Sequence, residues 1–167
     1  ESGVAGTDRR REDDSALESG GDSHCAMIGA DSQRVSCPST RSRAPRVLTG
    51  VDVVDIERLR FALTRYPRLE KRLFSEAERV YAASRKDPVR HLAARFAAKE
   101  AVGKLLGCGV TSWQDILVEG GGSALGVLLV GRAADQAKAL GLGPIALSLS
   151  HAATIAVASA VALAERS

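Results

Sequence analysis

The chain has few cysteines and lacks any long apolar run. Its 167 residues include three cysteines, Cys25, Cys37 and Cys108, an odd number without the spacing of a metal site. This pattern argues against a disulfide framework and against a structural zinc site. No continuous apolar segment is long enough to form a signal peptide or to cross a membrane. These absences favour a reducing, cytoplasmic compartment and predict no membrane partner.

Aromatic residues and excess charge are also scarce. Phe, Trp and Tyr together make up 4% of the chain, and the net charge is only +3. Proteins that bind nucleic acid combine aromatic platforms with a strongly basic surface. A small basic nucleic-acid-binding domain is therefore a weak alternative, and we predict no nucleic-acid partner.

The front of the chain differs in composition from the rest. Residues 1–46 contain no Phe, Tyr or Trp, are rich in Ser, Gly, Arg and acidic residues, and show no sustained apolar period. Such a segment cannot bury enough surface to fold alone. We predict a disordered tail over 1–46 and one domain over 47–167. From Val47 onward, sixteen Lys and Arg stand against twelve Asp and Glu, a net of about +4, which favours an acidic partner or a phosphorylated ligand.

The apolar pattern after the tail predicts blocks of strands and helices. Asp55, Ser75 and Asp87 are predicted helix N-caps, Ser75 with a capping box to Glu78 and Asp87 with Pro88 at the first helical position. The predicted strands are 46–54, which we interpret as buried, 115–119, 125–130, 145–151 and 153–163, and the predicted helices are 56–65, 76–85, 88–107 and 133–140. The order of these elements predicts an α+β fold.

Charged and polar residues interrupt these apolar elements at three places. Asp52 lies in the first strand, Glu100 lies in an apolar helix with Lys104 one turn further on, and residues 148–151 (Ser-Leu-Ser-His) end a strand. Structural explanations exist for each, namely a buried helix-capping acid, a solvated Glu100–Lys104 ion pair and a histidine with a satisfied hydrogen bond at a strand end. One functional explanation covers all three: two carboxylates that share a magnesium ion beside a lysine that holds a phosphate.

Three ordered motifs resemble those of the holo-acyl-carrier-protein synthases, the small 4'-phosphopantetheinyl transferases. They are residues 50–52 (Gly-Val-Asp), residues 95–101 (Arg-Phe-Ala-Ala-Lys-Glu-Ala) with Lys104, and residues 148–151. The resemblance runs from about Val47 to the C-terminus. It implies the 4'-phosphopantetheinyl transferase fold, an antiparallel sheet packed with helices.

The resemblance implies a reaction and assigns the central residues. Coenzyme A is the donor, magnesium bridges its pyrophosphate, and a serine of apo acyl carrier protein attacks the β-phosphate, so that 3',5'-ADP leaves. Asp52 and Glu100 are the implied magnesium ligands, and Lys104 is the implied pyrophosphate contact. Glu100 or a metal-bound water accepts the proton of the serine hydroxyl.

The resemblance also implies how coenzyme A is held and how the chain assembles. Ser148, Ser150 and His151 are expected to line the coenzyme A pocket, and Arg95 to reach a phosphate, in the same or in a neighbouring subunit. Members of this family form homotrimers with a site at each subunit interface. For Lys99, a structural role and a functional role both remain open.

A basic helix surface is the expected docking site for the acidic carrier protein. Arg58 and Arg65 are seven residues apart and therefore share one helix face, and Arg68 is expected beside them. The alternative is that the three arginines are merely solvated.

The sequence departs from the family pattern at two places. Ala146 stands where the family commonly has a histidine, which removes one polar contact to coenzyme A. Ser123 and Ala124 replace the basic residue and proline that often follow the glycine-rich turn. The loss of the contact at Ala146 would fit a low-activity or specialised enzyme. The main alternative function is a catalytically silent module of the same fold that binds coenzyme A or the carrier protein. The sequence does not indicate which carrier protein is served.

Overall fold

The computed structural model describes residues 45–165, apart from the Ser123 side chain. The predicted disordered tail lies outside these described residues except for its last two, Pro45 and Arg46. The elements are strands β1 (Arg46–Asp55), β2 (Ile116–Glu119), β3 (Gly126–Leu129), β4 (Ala146–His151) and β5 (Ile155–Ala164), and helices α1 (Ile56–Arg65), α2 (Pro67–Leu73), α3 (Glu76–Ala83), α4 (Pro88–Leu105) and α5 (Gly131–Ala139). They match the predicted order with one addition.

Side-chain caps begin three of the helices where the sequence predicts them. The Asp55 carboxylate accepts a hydrogen bond from the Arg58 amide at 2.8 Å. Ser75 and Glu78 form the predicted capping box at the start of α3, and Asp87 caps α4. Each cap satisfies a backbone N–H group that the first helical turn leaves without a partner.

Helix α2 is the element that the sequence analysis missed. Tyr66 and Pro67 end α1, as predicted, but Pro67 is also the first residue of a new helix that runs to Leu73. Proline fits the first helical position because the N–H group it lacks would have no partner there. The prediction that Arg68 lies beside Arg58 and Arg65 on one helix is therefore wrong, since Arg68 belongs to α2.

The strands form an antiparallel three-stranded sheet and a hairpin. The sheet has the order β1-β5-β4, and β2 pairs with β3 as a two-stranded sheet. In the register, Asp52 lies opposite Ala158, and Ser148 lies opposite Ser159. This topology is the α+β arrangement expected from the element order.

Helix α4 lies across one face of the three-stranded sheet, which we call the inner face. Gly50 makes the closest approach, because an added Cβ would collide with the carbonyl oxygen of Ala101 and lie 2.9 Å from the amide nitrogen of Leu105. Small residues make up much of this contact: Ala97, Ala98 and Ala101 of α4 and Ala156, Ala158 and Ala160 of β5 are fully buried. Asp52 follows Gly50 by two residues and therefore faces the same helix.

The outer face of the sheet is apolar and exposed. Val47, Val51 and Val53 of β1 are 61%, 54% and 57% exposed, and Val161 and Leu163 of β5 are also exposed. The prediction of β1 as a buried strand is wrong for this single chain, because only its inner face is covered. None of the helices within residues 45–165 combines the length and hydropathy needed to cross a bilayer.

Candidate functional site

Asp52 and Glu100 line one cavity of about 710 Å³. Asp52 comes from the inner face of β1 and Glu100 from α4, so the close approach of strand and helix at Gly50 brings the two acids to one place. Arg58 lies at the same cavity. The remaining wall is largely apolar and includes Leu59, Leu69, Leu73, Phe96, Trp113 and Ile155. We call this space the carboxylate cavity.

Lys104 forms an ion pair with Asp52. Its ammonium group lies 2.7 Å from Oδ1 of Asp52 and donates a second hydrogen bond, of 2.9 Å, to the carbonyl oxygen of Val51. The Asp52 side chain is only 16% exposed, whereas that of Lys104 is 51% exposed. Sequence spacing alone pairs Lys104 with Glu100, but the structure places its ammonium on the acid of the neighbouring strand.

Glu100 has an unusual electrostatic environment. Burial raises the pKa of its carboxyl group, the charge of Asp52 raises it further, and Lys104 opposes both effects in part. Two nearby carboxylates disfavour each other's ionised form unless a cation joins them. The site is therefore poised to gain from a bound cation.

The two acids resemble a magnesium site, which waters and phosphates complete, more than a site in which protein side chains supply every ligand. Within residues 45–165 no group of three or more His, Cys, Asp or Glu side chains is arranged to hold a metal. Magnesium is commonly held by one or two carboxylates, with waters and substrate phosphates as its other ligands. A pair of carboxylates in an open cavity meets that description.

Lys99 lies next to Glu100 in sequence but is buried away from the carboxylate cavity. Its ammonium lies 2.9 Å from the Glu78 carboxylate, with both side chains almost completely buried. It also donates a hydrogen bond of 2.7 Å to the carbonyl oxygen of Trp113. Burial lowers the pKa of Lys99, and the bond to Glu78 opposes that effect. Of the two roles left open for Lys99, this placement matches the structural one.

Arg95 is buried outside the carboxylate cavity. Its guanidinium donates a 2.7 Å hydrogen bond to the carbonyl oxygen of Gly120 and lies 3.7 Å from the centre of the Tyr81 ring. The Nε atom of Arg95 is buried without a partner among the described residues. The predicted phosphate contact is thus separated from Asp52 and Glu100 and belongs to a second group of residues.

This second group is a basic aromatic cluster made of Tyr81, Arg85, His91, Arg95 and His151. The rings of Tyr81 and His91 are 6.0 Å apart, and those of His91 and His151 are 5.8 Å apart. Arg85 lies 4.5 Å from the centre of the Tyr81 ring, on which Arg95 also packs. Burial lowers the pKa of His91, and the positive charges of His151, Arg85 and Arg95 lower it further. An anion bound here would relieve this repulsion.

Of the residues in this cluster, only Arg95 and His151 are predicted from the sequence as contacts to coenzyme A. His91 and Arg95 are four residues apart on α4 and therefore share a helix face, which is a signal that the sequence contains. Tyr81 offers no such signal, because its position depends on how α3 packs against α4.

Ser148 and Ser150 do not reach the carboxylate cavity of the same chain. Both are exposed, and they pair with Ser159 and Val157 of β5 on the outer face of the sheet. Asp52 lies on the inner face. One chain therefore brings together Asp52, Glu100 and Lys104 but leaves the two serines on the opposite side of the sheet.

The predicted docking arginines are on two helices. Arg58 and Arg65 are exposed on α1, and Arg68 is exposed on α2. Between the first two, Phe61 is 72% exposed. The helical surface beside the carboxylate cavity is therefore basic with one large apolar residue.

Comparisons with known proteins agree on one family. Residues 48–134 match the model of the 4'-phosphopantetheinyl transferase superfamily. The holo-[acyl-carrier-protein] synthase of Moorella thermoacetica is 49% identical over 122 residues, which cover 71% of this chain and 93% of that protein.

Solved structures give the same result. The Helicobacter pylori holo-[acyl-carrier-protein] synthase in complex with coenzyme A matches with a TM-score of 0.60 and 28% identity, covering 69% of this chain and 99% of that chain. The Bacillus anthracis holo-(acyl-carrier-protein) synthase in complex with CoA (3',5'-ADP) matches with a TM-score of 0.59 and 28% identity, covering 72% and 99%. These similarities confirm the predicted fold.

Proposed function

Because the chain belongs to the 4'-phosphopantetheinyl transferase superfamily, we propose that it transfers the 4'-phosphopantetheine arm of coenzyme A to a serine of apo acyl carrier protein. Its activity is that of a holo-[acyl-carrier-protein] synthase. The observation that carries this proposal is the convergence of Asp52 and Glu100 on one cavity, with Lys104 bound to Asp52.

The reaction exchanges one phosphorus–oxygen bond for another. The serine Oγ forms a bond to the β-phosphorus of coenzyme A, the bond from that phosphorus to the bridging oxygen breaks, and 3',5'-ADP leaves with that oxygen. Asp52 and Glu100 would hold Mg²⁺, which when bound would supply positive charge to stabilise the charge of a pyrophosphate. Lys104, whose ammonium is bonded to Asp52, is the proposed further positive charge for the pyrophosphate.

Glu100 is the proposed general base. A carboxylate at this place in the cavity can accept the proton of an attacking hydroxyl. In the metal-free chain, burial and the charge of Asp52 raise the pKa of the Glu100 carboxyl group. The proton of the attacking serine hydroxyl passes to this carboxylate. Asp52 is held in place by the 2.7 Å hydrogen bond from the Lys104 ammonium.

The basic aromatic cluster is the proposed site for a phosphate and the adenine ring of coenzyme A. Arg85, Arg95 and His151 carry donors for phosphate oxygens, and the rings of Tyr81 and His91 offer apolar faces. Aromatic rings stack on bases in many nucleotide-binding sites. Arg95 and His151 thus keep the roles that the family resemblance gives them.

We propose a homotrimer in which a neighbouring copy completes the site. Exposed valines on the outer face of the sheet form the kind of apolar surface that marks an interface. Ser148 and Ser150 lie on this same outer face, so they can contact coenzyme A only when it is bound to another copy. A closed cyclic arrangement gives every copy the same neighbour and hence the same site.

The carrier protein is the proposed second substrate, docked on Arg58, Arg65 and Arg68. Arg58 lies both on this basic surface and at the carboxylate cavity, so a carrier bound there presents its serine to Glu100. We place the reaction in the cytoplasm, the compartment that the cysteine pattern favours.

The proposed function is tested by incubating the full chain with apo acyl carrier protein, coenzyme A and Mg²⁺ and then weighing the carrier by mass spectrometry. The carrier is expected to gain one phosphopantetheine group. Asp52→Asn serves as the matched control and is expected to abolish the gain, because it removes one magnesium ligand. Absence of any mass gain at high enzyme concentration would favour the silent binding module instead.

A further inference from the structure

We propose that Lys99 is a positioning residue that holds Trp113 as a wall of the carboxylate cavity, and that this wall binds the pantetheine arm of coenzyme A. The inference deepens the proposed function and rests on it for the identity of the ligand. The positional part, that Lys99 holds Trp113, stands on the geometry alone.

The buried Lys99–Glu78 pair ties three elements together. The Glu78 carboxylate accepts hydrogen bonds from the Ser75 amide at 2.8 Å and from the Val118 amide at 3.1 Å, in addition to the 2.9 Å contact with Lys99. Lys99 therefore has a fixed anion at one side of its ammonium group. Its remaining bond, to the Trp113 carbonyl oxygen, is then held in one direction.

Trp113 needs such an anchor because two cavities reach it. It lines both the carboxylate cavity and a second cavity of about 550 Å³. Its indole stacks on Phe96 with the ring centres 4.8 Å apart, and the residue packs against the core only as a partly buried one. A residue that borders open space in two cavities is held less firmly by close packing than a core residue, since the open space supplies no contact atoms. The Lys99 bond fixes its main chain, and Phe96 supports its ring.

A buried ion pair is a poor source of stability. Transferring the two charged groups out of water costs about as much free energy as their mutual attraction returns. A protein with an apolar pair of similar size in their place is often equally stable or more stable. A pair that contributes little to stability can still determine the position of a neighbouring group. Here the group whose position it determines lines the active site.

The pantetheine arm is the part of coenzyme A that fits this wall. It begins at the β-phosphate, next to the acids of the carboxylate cavity, and it carries no charge. Phe96, Trp113 and the leucines of the cavity offer it an apolar surface. The 3'-phosphate and adenine of 3',5'-ADP would bind elsewhere, at the basic aromatic cluster, so this ligand lacks the part of coenzyme A that contacts the wall.

The test uses the fluorescence of Trp113, the chain's single tryptophan, and the binding of two ligands. The variants are Lys99→Met, the charge-free double variant Glu78→Gln/Lys99→Met in case the single variant fails to fold, and Lys99→Arg, which keeps a cationic donor. Lys138→Met, at an exposed lysine of α5, is the control. Acrylamide quenching of Trp113 is measured without ligand, and the affinities for coenzyme A and for 3',5'-ADP are measured by calorimetry with Mg²⁺.

Lys99→Met, or the double variant if the single one does not fold, is expected to show at least twofold stronger quenching of Trp113. It should bind coenzyme A roughly tenfold more weakly, while its affinity for 3',5'-ADP should change less than twofold. Lys99→Arg should restore both properties in large part, and the control should leave them unchanged. Unchanged quenching, or equal weakening of both ligands, would overturn the inference. If the parent protein bound neither ligand, the proposed function would fail, and the quenching measurement would still test the link between Lys99 and Trp113.

Discussion

At Glu100, burial and the charge of Asp52 raise the pKa of the carboxyl group above its ordinary value of 4.5. The unfolded chain lacks both effects, so the folded state binds the Glu100 proton more tightly than the unfolded state does. The resulting contribution to the free energy of unfolding is complete below pH 4.5 and is lost as the pH rises through the raised pKa. Above the raised pKa the metal-free protein has lost this contribution.

Glu100→Gln is therefore expected to change activity and stability in opposite directions. Turnover should fall by about 100-fold or more, since a positioned general base contributes at least that factor. The melting temperature of the metal-free variant should be higher than that of the parent at neutral pH, and the difference should shrink toward pH 5. Carrier-modification rates and thermal melts in a chelator measure the two effects. Normal turnover would refute the role of Glu100, and a lower melting temperature at neutral pH would refute its electrostatic environment.

Single residues also mark where sequence-based prediction succeeds and where it stops. Asp52 and Glu100 were recognisable because a charge inside an apolar element needs a partner, and the structure brings both to one cavity. The partner of Lys104 was not recognisable. Helical spacing relates it to Glu100, whereas its bond to Asp52 depends on the packing of α4 against β1.

At the level of elements, local chemistry predicted the helix starts well. Asp55, Ser75 and Asp87 cap helices because their side chains accept bonds from amides only three residues away, so no tertiary contact is needed. Proline at residue 67 is compatible with both the end of one helix and the start of another. Local signals could not distinguish these two outcomes, and α2 was missed for that reason.

The packing of α4 on β1 depends on Gly50, and Gly50→Ala tests this dependence. The new methyl group would collide with the Ala101 carbonyl, so strand and helix must separate. We expect a loss of about 1 to 3 kcal/mol in the free energy of unfolding, the usual range for overpacking. Activity should fall as well, because the separation moves Asp52 away from Glu100.

Gly126→Ala is the matched control for this substitution. Gly126 also lies in a strand, but nothing is within 4 Å of an added Cβ. Its replacement should be neutral or stabilising by roughly 0.4 to 1 kcal/mol, because alanine restricts the unfolded chain. Urea denaturation of both variants measures the difference. Equal stability of the two variants would show that the close approach at Gly50 is not limiting.

Helix α1 carries the basic surface proposed to dock the carrier protein, and Arg65 is the residue that tests it most cleanly. Arg58 also lines the carboxylate cavity, so its replacement affects two functions, whereas Arg65 does not line that cavity. Arg65→Glu should raise the KM for the carrier protein by about tenfold, at low salt above all, and leave the KM for coenzyme A unchanged. Arg132→Glu on α5 is the control for net charge. If both substitutions raised the KM for the carrier protein equally, docking would depend on the overall charge of the chain and not on α1.

On the scale of the whole molecule, a single chain does not gather all the residues that the family resemblance assigns. Side chains alternate between the two faces of a strand, so the register of the sheet decides which residues can share a site. It places Asp52 on the inner face and Ser148 and Ser150 on the outer face. The sequence alone does not reveal this separation, because the pairing of β1 with the hairpin of β4 and β5 joins parts of the chain about one hundred residues apart.

Val161→Glu tests whether the outer face joins three copies of the chain. Val161 lies on the central strand β5. A carboxylate at this position would be buried without a partner in the proposed trimer interface, which would strongly disfavour association. The parent is expected to sediment at three times the chain mass and the variant at the mass of one chain. Val80→Glu, at an exposed valine of α3, is the control and should remain trimeric. The monomeric variant should keep its fold but lose most of its transfer activity, because Ser148 and Ser150 of a neighbour no longer complete the site. A parent that sediments as a monomer and is fully active would show that one chain contains the whole site.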